Sequence, residues 1–127
     1  RVSLTSEGKE EVLAAKEILQ ALGLRVFFPE LISCPTCGRC QVDLIKMVNT
    51  VRAQLIKSYS TNNKNKNHLP TLAIMGCFVN GPGEARQADL GIAFGKNTGL
   101  VFKKGKVIKR LPEDKAVDLL LKEIKQC

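Results

Sequence analysis

The chain has 127 residues, of which 44% are hydrophobic and 25% are charged. This length fits one domain, which can bury roughly two-thirds of the surface that its unfolded chain exposes. No stretch approaches the ~20 apolar residues of a membrane helix, and no charged-then-apolar leader is seen. We therefore expect a cytoplasmic protein or one of a plastid-type organelle stroma. Because the sequence begins at Arg1 without methionine, we also expect a piece of a longer protein.

The net charge of +8 is unevenly distributed along the chain. Residues 91–111 contain no acidic residue, and residues 44–83 contain none either. Such a basic surface can serve solubility, dock an acidic electron donor or bind nucleic acid. Base stacking looks weak, because Phe102 is the only aromatic residue within the lysine-rich stretch at 99–110. The basic residues of 91–111 are Lys96, Lys103, Lys104, Lys106, Lys109 and Arg110.

The N-terminal part of the sequence predicts a strand, a helix and a second strand. Residues 1–4, "RVSL", read as the end of a strand, and Thr5 or Ser6 can cap the helix that follows. Gly23 is placed to end this helix, and "LRVFF" at 24–28 reads as the next strand. This order favours an α/β architecture. The helix is predicted from apolar residues at near-helical spacing, namely Val12, Ala15, Leu19 and Leu22.

A second helix is predicted after the short apolar segment "ELIS" and a cysteine-rich stretch. Cys40 is expected at its beginning, and its apolar positions are Leu44, Val48, Val51 and Leu55. Residues 60–70, "STNNKNKNHLP", are polar and of low complexity, which is typical of a flexible surface loop.

The C-terminal half predicts two buried strands, a hairpin and a last helix. The strands are "TLAIM" at 71–75 and "ADLGIAF" at 88–94. The basic segment after them reads as a hairpin that turns at Lys104–Gly105. Pro112 then opens a helix. Its apolar face holds Val117, Leu120, Leu121 and Ile124.

Five cysteines indicate metal or redox chemistry rather than a disulfide framework. Three of them, Cys34, Cys37 and Cys40, lie within "CPTCGRC". A structural zinc site would need a second Cys-x-x-Cys pair or a pair of histidines, and the chain has only His68, in the polar loop. A ferredoxin-type run would need a cysteine at position 44, which is Leu44. Both standard patterns are therefore incomplete.

The stretch "MGCFVNGPGEA" at 75–85 offers further ligands. Cys77 lies just after a predicted strand, at the end where α/β sheets tend to bind ligands. Glu84 follows across a Gly-Pro-Gly turn that can fold back sharply. Cys34, Cys37 and Cys77 with Glu84 would give an iron–sulfur cube three soft thiolates and one more labile carboxylate. An iron with such a labile ligand suits a catalytic cluster better than a cluster that only transfers electrons.

Each of these residues also has a simpler interpretation. Cys34 and Cys37 could be a redox pair or half of a zinc site, Cys77 a packed strand residue and Glu84 a solvated turn residue. Cys40 is expected to be a small buried hydrophobic residue. Cys127 is interpreted as a dangling terminal thiol, and His68 as a loop histidine.

The two motifs "SCPTCGR" and "MGCFVNGPGEA" together resemble the C-terminal part of the hydroxymethylbutenyl diphosphate synthase family. These are the iron–sulfur enzymes of the methylerythritol phosphate route to isoprenoids. The resemblance covers most of the chain and implies a small mixed β-sheet flanked by helices. It assigns residues 1–24 to the last strand and helix of a TIM barrel. It assigns residues 25–127 to the cluster domain, with a flexible loop at 60–70.

The resemblance implies a [4Fe–4S] cluster held by Cys34, Cys37 and Cys77, with Glu84 as a replaceable fourth ligand. The family reductively opens the ring of methylerythritol cyclodiphosphate with two electrons and loss of water. Asn80 matches a residue close to cluster and substrate, and Glu84 is expected to handle a proton. Arg39 is expected to have a structural or electrostatic role.

The resemblance also implies partners and leaves alternatives open. Flavodoxin or ferredoxin is the expected electron donor, the full-length protein is expected to be a homodimer, and the isolated piece is expected to be inactive. Neither a membrane nor a nucleic acid is an expected partner. The alternatives are a basic zinc or iron–sulfur module that binds nucleic acid, and a module that serves only electron transfer with Cys40 as fourth ligand.

Overall fold

The computed structural model describes residues 1–61, 69–79 and 81–126, with nine elements. The helices are α1 (Gly8–Ala21), α2 (Leu44–Thr61), α3 (Gly81–Glu84) and α4 (Glu113–Gln126). The strands are β1 (Leu31–Ser33), β2 (Leu72–Met75), β3 (Leu90–Gly95), β4 (Thr98–Lys103) and β5 (Lys106–Pro112). They form one mixed sheet in the order β1-β2-β3-β4-β5. This confirms the prediction of a small mixed α/β sheet.

The first three strands are parallel, and the last three form antiparallel pairs. Since the carboxyl ends of β1, β2 and β3 meet at one edge, the segments that follow these strands are brought together there. The expected hairpin is also confirmed. Lys104 and Gly105 both have positive φ, 49° and 74°, as the central residues of a tight hairpin turn require.

Alternating side chains of β2 and β3 build two apolar layers, one on each face of the sheet. On one face, Ile74 and Phe94 pack with Leu55 of α2 and Leu120 of α4, and all four are buried. The layer on the opposite face combines four alanines with two large side chains, namely Ala73, Ala85, Ala88 and Ala93 with Met75 and Phe102. Helices α2 and α4 therefore cover one face, and the segment around α3 covers the other.

The starts of α2 and α4 follow from residues beside them in sequence. Asp43 Oδ1 accepts a hydrogen bond from Lys46 N at 3.1 Å, so Asp43 caps α2 and the helix begins at Leu44. The expectation that Cys40 begins this helix is therefore wrong. Pro112 directly precedes α4, as predicted, and Glu113 and Asp114 occupy its first turn.

The N-terminal segment differs from its prediction in three places. Residues 1–4 form no strand, and the N-cap of α1 is Glu7, without a side-chain capping bond. Residues 24–28 form no strand either, because Gln20 binds their backbone. Its Oε1 accepts from Phe27 N at 2.9 Å, and its Nε2 donates to Phe28 O at 3.0 Å. The strand forms instead in "ELIS", as β1. Gly23 does end α1, with φ of 67°.

Helix α1 contributes no buried side chain to this fold. Val12, Leu19 and Leu22 are exposed, although they belong to its predicted apolar face. An ion pair between Glu17 and Arg52 connects α1 to α2. No described helix is long and apolar enough to span a membrane.

Candidate functional site

The residues that follow β1 and β2 meet at the carboxyl edge of the sheet. Ser33 pairs with Ile74 in the parallel register, so Cys34 lies beside the end of β2. Gly76 N donates a hydrogen bond to Cys34 Sγ at 3.3 Å. Since Cys77 is the next residue after Gly76, two cysteines that are distant in sequence lie at one point of the fold. The expected placement of Cys77 just after a strand is confirmed.

Cys34 and Cys77 differ in exposure. Cys77 is 8% exposed, whereas Cys34 is half-buried and packs against the apolar layers of both sheet faces. The Cys34 side chain therefore lies at the boundary of the two layers and is partly shielded from water. Such shielding is one of the means by which proteins control iron–sulfur reduction potentials.

Cys37 lies in the loop that connects β1 to α2. Its side chain is exposed, and its carbonyl accepts a hydrogen bond from Cys40 N at 2.9 Å, which closes a turn. Within the described residues, no three His, Cys, Asp or Glu side chains lie close enough together to hold a metal ion. The proposed set of Cys34, Cys37 and Cys77 therefore stays a prediction.

The contacts of Cys40 agree with its interpretation as a small packed residue. It is half-buried against the layer that includes Leu44, and its Sγ donates to Val42 O at 3.3 Å. A side chain with these contacts is a small packed residue of the loop. Its sulfur also lies beside Gly76, which the sequence did not indicate.

Phe78 and the backbone of α3 pack on the sheet face opposite α2 and α4. The Phe78 ring lies against Gly95 of β3, where a Cβ would collide with it. A Cβ on Gly81 would come within 2.7 Å of Met75 Cβ and 2.9 Å of Ala93 Cβ. The glycine therefore lets this segment lie close on the sheet.

The sequence predicts a sharp turn at Gly-Pro-Gly, but this segment forms one turn of helix. In α3, Ala85 N donates to Gly81 O at 3.0 Å. Glu84 is the last residue of this turn. The backbone of α3 lies against β2 and β3, and β2 leads into Cys77. Asn80, His68 and Cys127 lie outside the described residues, as does most of the loop predicted at 60–70.

The basic hairpin extends to the opposite edge of the sheet. Lys103 and Lys106 are exposed and lie directly opposite each other in β4 and β5. Phe102 is fully buried, so its ring is not available to stack on a base. Arg86 packs against the hairpin turn, with its Cγ 3.1 Å from the position that a Cβ on Gly105 would take.

Comparison with known proteins identifies the family. The family described as "GcpE protein C-terminal domain" matches residues 30–126. The chain belongs to this family. Relatives include the protein named 4-hydroxy-3-methylbut-2-en-1-yl diphosphate synthase (flavodoxin) from Clostridium acetobutylicum, which is 52% identical over 124 residues. Proteins of the same name from Clostridium tetani and Dehalococcoides mccartyi are also 52% identical, over 125 residues each.

The resemblance drawn from the two cysteine motifs is thereby confirmed. Each of these alignments covers 98% of this chain but only 33% or 34% of the relative. The chain therefore spans about a third of the length of the relatives that it matches. The match to the GcpE C-terminal domain includes all five strands and the cysteines that follow β1 and β2. The function of a whole protein is proposed below.

Proposed function

We propose that this chain is the cluster domain of a 4-hydroxy-3-methylbut-2-en-1-yl diphosphate synthase, an oxidoreductase of isoprenoid biosynthesis. The observation that carries the proposal is the meeting of Cys34 and Gly76–Cys77 at the sheet edge, in a member of this family. The substrate would be 2-C-methyl-D-erythritol 2,4-cyclodiphosphate, opened by two electrons with loss of water. The piece alone would be inactive.

The residues present suit a [4Fe–4S] cluster. Cys34, Cys37 and Cys77 would hold it, because thiolates are the usual protein ligands of such clusters. The Gly76 N–H on Cys34 Sγ is the kind of outer hydrogen bond that orients a metal-binding ligand. Since Cys37 is exposed in its loop, we propose that this loop closes on the sheet edge when the ligands assemble.

The bound cluster would supply electrons and a Lewis-acidic iron to the ring-opening reaction. Glu84 would be the replaceable fourth ligand and would transfer a proton when released. The Asn80 amide would hydrogen-bond the reacting oxygen of the substrate. Arg39, between Cys37 and Cys40, would provide positive charge or structural support near the site.

We propose that the first 24 residues belong to an upstream TIM barrel, and residues 25–127 to the cluster domain. The exposed apolar residues of α1, which include Val12 and Ile18, support this division because such a face is normally covered. The relatives are also about three times as long as this chain. The full-length protein would be a homodimer, and the cluster domain of one subunit would cover the barrel of the other.

A flavodoxin is the proposed electron donor, since the named relatives carry that word. Ferredoxin stays the alternative donor. The exposed basic hairpin offers an acidic partner a surface of opposite charge, which accelerates association. We propose a cytoplasmic or plastid-type stromal location. Neither a nucleic acid nor a membrane is a proposed partner.

Anaerobic reconstitution of the full-length protein tests the cluster directly. We expect about four irons and four labile sulfides per chain, with a broad visible absorbance. Separate Ser variants of Cys34, Cys37 and Cys77 should each lose most of this iron. One tightly bound zinc ion without labile sulfide would overturn the proposal and favour the zinc-module alternative.

A further inference from the structure

Gly76 contacts two cysteines besides Cys77, its neighbour in sequence. Its N–H donates to Cys34 Sγ at 3.3 Å. In the direction of a side chain at position 76, a Cβ would lie 2.6 Å from Cys40 Sγ and 3.3 Å from Cys40 Cβ. Cys34 and Cys40 therefore both contact Gly76. Cys34 accepts a hydrogen bond from its N–H, and Cys40 packs against it.

The requirement for glycine at position 76 is one of space. Gly76 is not among the residues with positive φ, so its backbone conformation is open to other residues. The Leu44 side chain adds a third contact, since its Cδ2 would be 3.3 Å from a Cβ on Gly76. Leu44 is 2% exposed and has little room to move. An added methyl group must therefore displace Cys40 or shift the Gly76 backbone.

We propose that Gly76 is a positioning residue of the cluster site, and that the packing of Cys40 against Gly76 holds it in place. The inference rests on the proposed function, because it assigns a role in tuning a bound cluster. An N–H dipole directed at a ligand sulfur stabilises negative charge there and so favours the reduced state. Hydrogen bonds to the sulfurs are among the factors that set the potential of iron–sulfur clusters. Gly76 therefore raises the reduction potential and orients Cys34.

Redox titration of the full-length reconstituted protein tests this role. The variant Gly76→Ala should bind iron and sulfide but show a lower midpoint potential than the wild type, because its N–H no longer points at Cys34. Adding Cys40→Gly should return the potential toward the wild-type value, since it removes the side chain that the added methyl group at position 76 would meet. Gly8→Ala in α1 is the control, because nothing lies within 4 Å of a Cβ at Gly8 and this position is outside the cysteine segments.

A second measurement applies even if Gly76→Ala fails to fold. In the wild-type protein without metal, the Gly76 amide should exchange its hydrogen slowly, and Cys40→Gly should accelerate that exchange. Wild-type potential in Gly76→Ala, or fast exchange of the Gly76 amide in the wild type, would overturn the inference. A third outcome is wild-type protein that takes up no iron or sulfide although its Gly76 amide exchanges slowly. This outcome would contradict the proposed function, and the role of Gly76 in setting the potential would be excluded with it.

Discussion

Asp89 and Thr71 bind each other through two hydrogen bonds at the start of the two central strands. Thr71 N donates to Asp89 Oδ2 at 2.9 Å, and Asp89 N donates to Thr71 O at 2.9 Å. The carbonyl of Asp89 also accepts from Lys104 N at 3.2 Å, in the hairpin turn. One acidic residue thus ties β2, β3 and the hairpin together at the edge opposite the cysteines.

Removing this carboxylate should destabilise the fold without touching the candidate site. We expect Asp89→Ala to lower the free energy of unfolding by about 2 kcal/mol, because it leaves the Thr71 N–H without its charged acceptor. Asp89→Asn should cost less, since its amide oxygen can still accept. Urea unfolding measures both, with Asp118→Asn on the exposed side of α4 as the control. Equal stability of Asp89→Ala and the control would contradict this role.

Gly81 and Gly83 provide a matched pair within the turn of helix that carries Glu84. A Cβ on Gly81 would be 2.7 Å from Met75 Cβ, whereas nothing lies within 4 Å of one on Gly83. Gly81→Ala should push α3 off the sheet, lower the stability by about 1–3 kcal/mol and reduce iron incorporation. Gly83→Ala should keep both near wild-type values. Thermal unfolding and iron analysis check this, and similar losses in both variants would show that close packing is not the cause.

The elements that the sequence predicted correctly are those with a strong local cause. Strand β2 is a continuous apolar run that is buried throughout, and the hairpin turns at Gly105, where a positive φ is needed. Helix α2 follows from the spacing of Leu44, Val51 and Leu55, all of which are buried. In each case the residues that specify the element lie within it.

The predictions that failed depended on contacts from elsewhere in the chain. Residues 24–28 have the composition of a strand, but the Gln20 side chain from α1 occupies their backbone groups. The contact between Cys40 and Gly76 joins two segments that only the folded sheet brings together. Likewise, the motif residues Cys34 and Cys77 could be selected from the sequence, but the role of Gly76 between them could not.

Replacing single cysteines should separate ligands from packing residues. Cys40→Ser keeps the size of a side chain that packs in the loop, so we expect it to retain most of the iron of the wild type. Cys37→Ser should lose most of the iron even though Cys37 is exposed and contributes little to stability. Iron and sulfide analysis after anaerobic reconstitution measures both. Loss of the cluster in Cys40→Ser, together with its retention in Glu84→Gln, would support the electron-transfer alternative.

Lys103 and Lys106 lie directly opposite each other across the hairpin, and both are exposed. Like charges in this position destabilise a strand pair, so repulsion between the two lysines lowers the stability of the fold. A bound acidic partner would reduce this repulsion. Replacing one lysine by glutamate therefore affects folding and docking in opposite directions.

Lys106→Glu should raise the free energy of unfolding by up to about 1 kcal/mol, because it converts a repulsive cross-strand pair into an attractive one. The same change should slow reduction of the full-length protein by flavodoxin several-fold at low salt, with the difference shrinking as salt screens the charges. Lys46→Glu, at an exposed position of α2, is the control for net charge. A stabilised variant that flavodoxin reduces at the wild-type rate at every ionic strength would exclude the hairpin as the docking surface, because its local charge would then have no effect on the encounter.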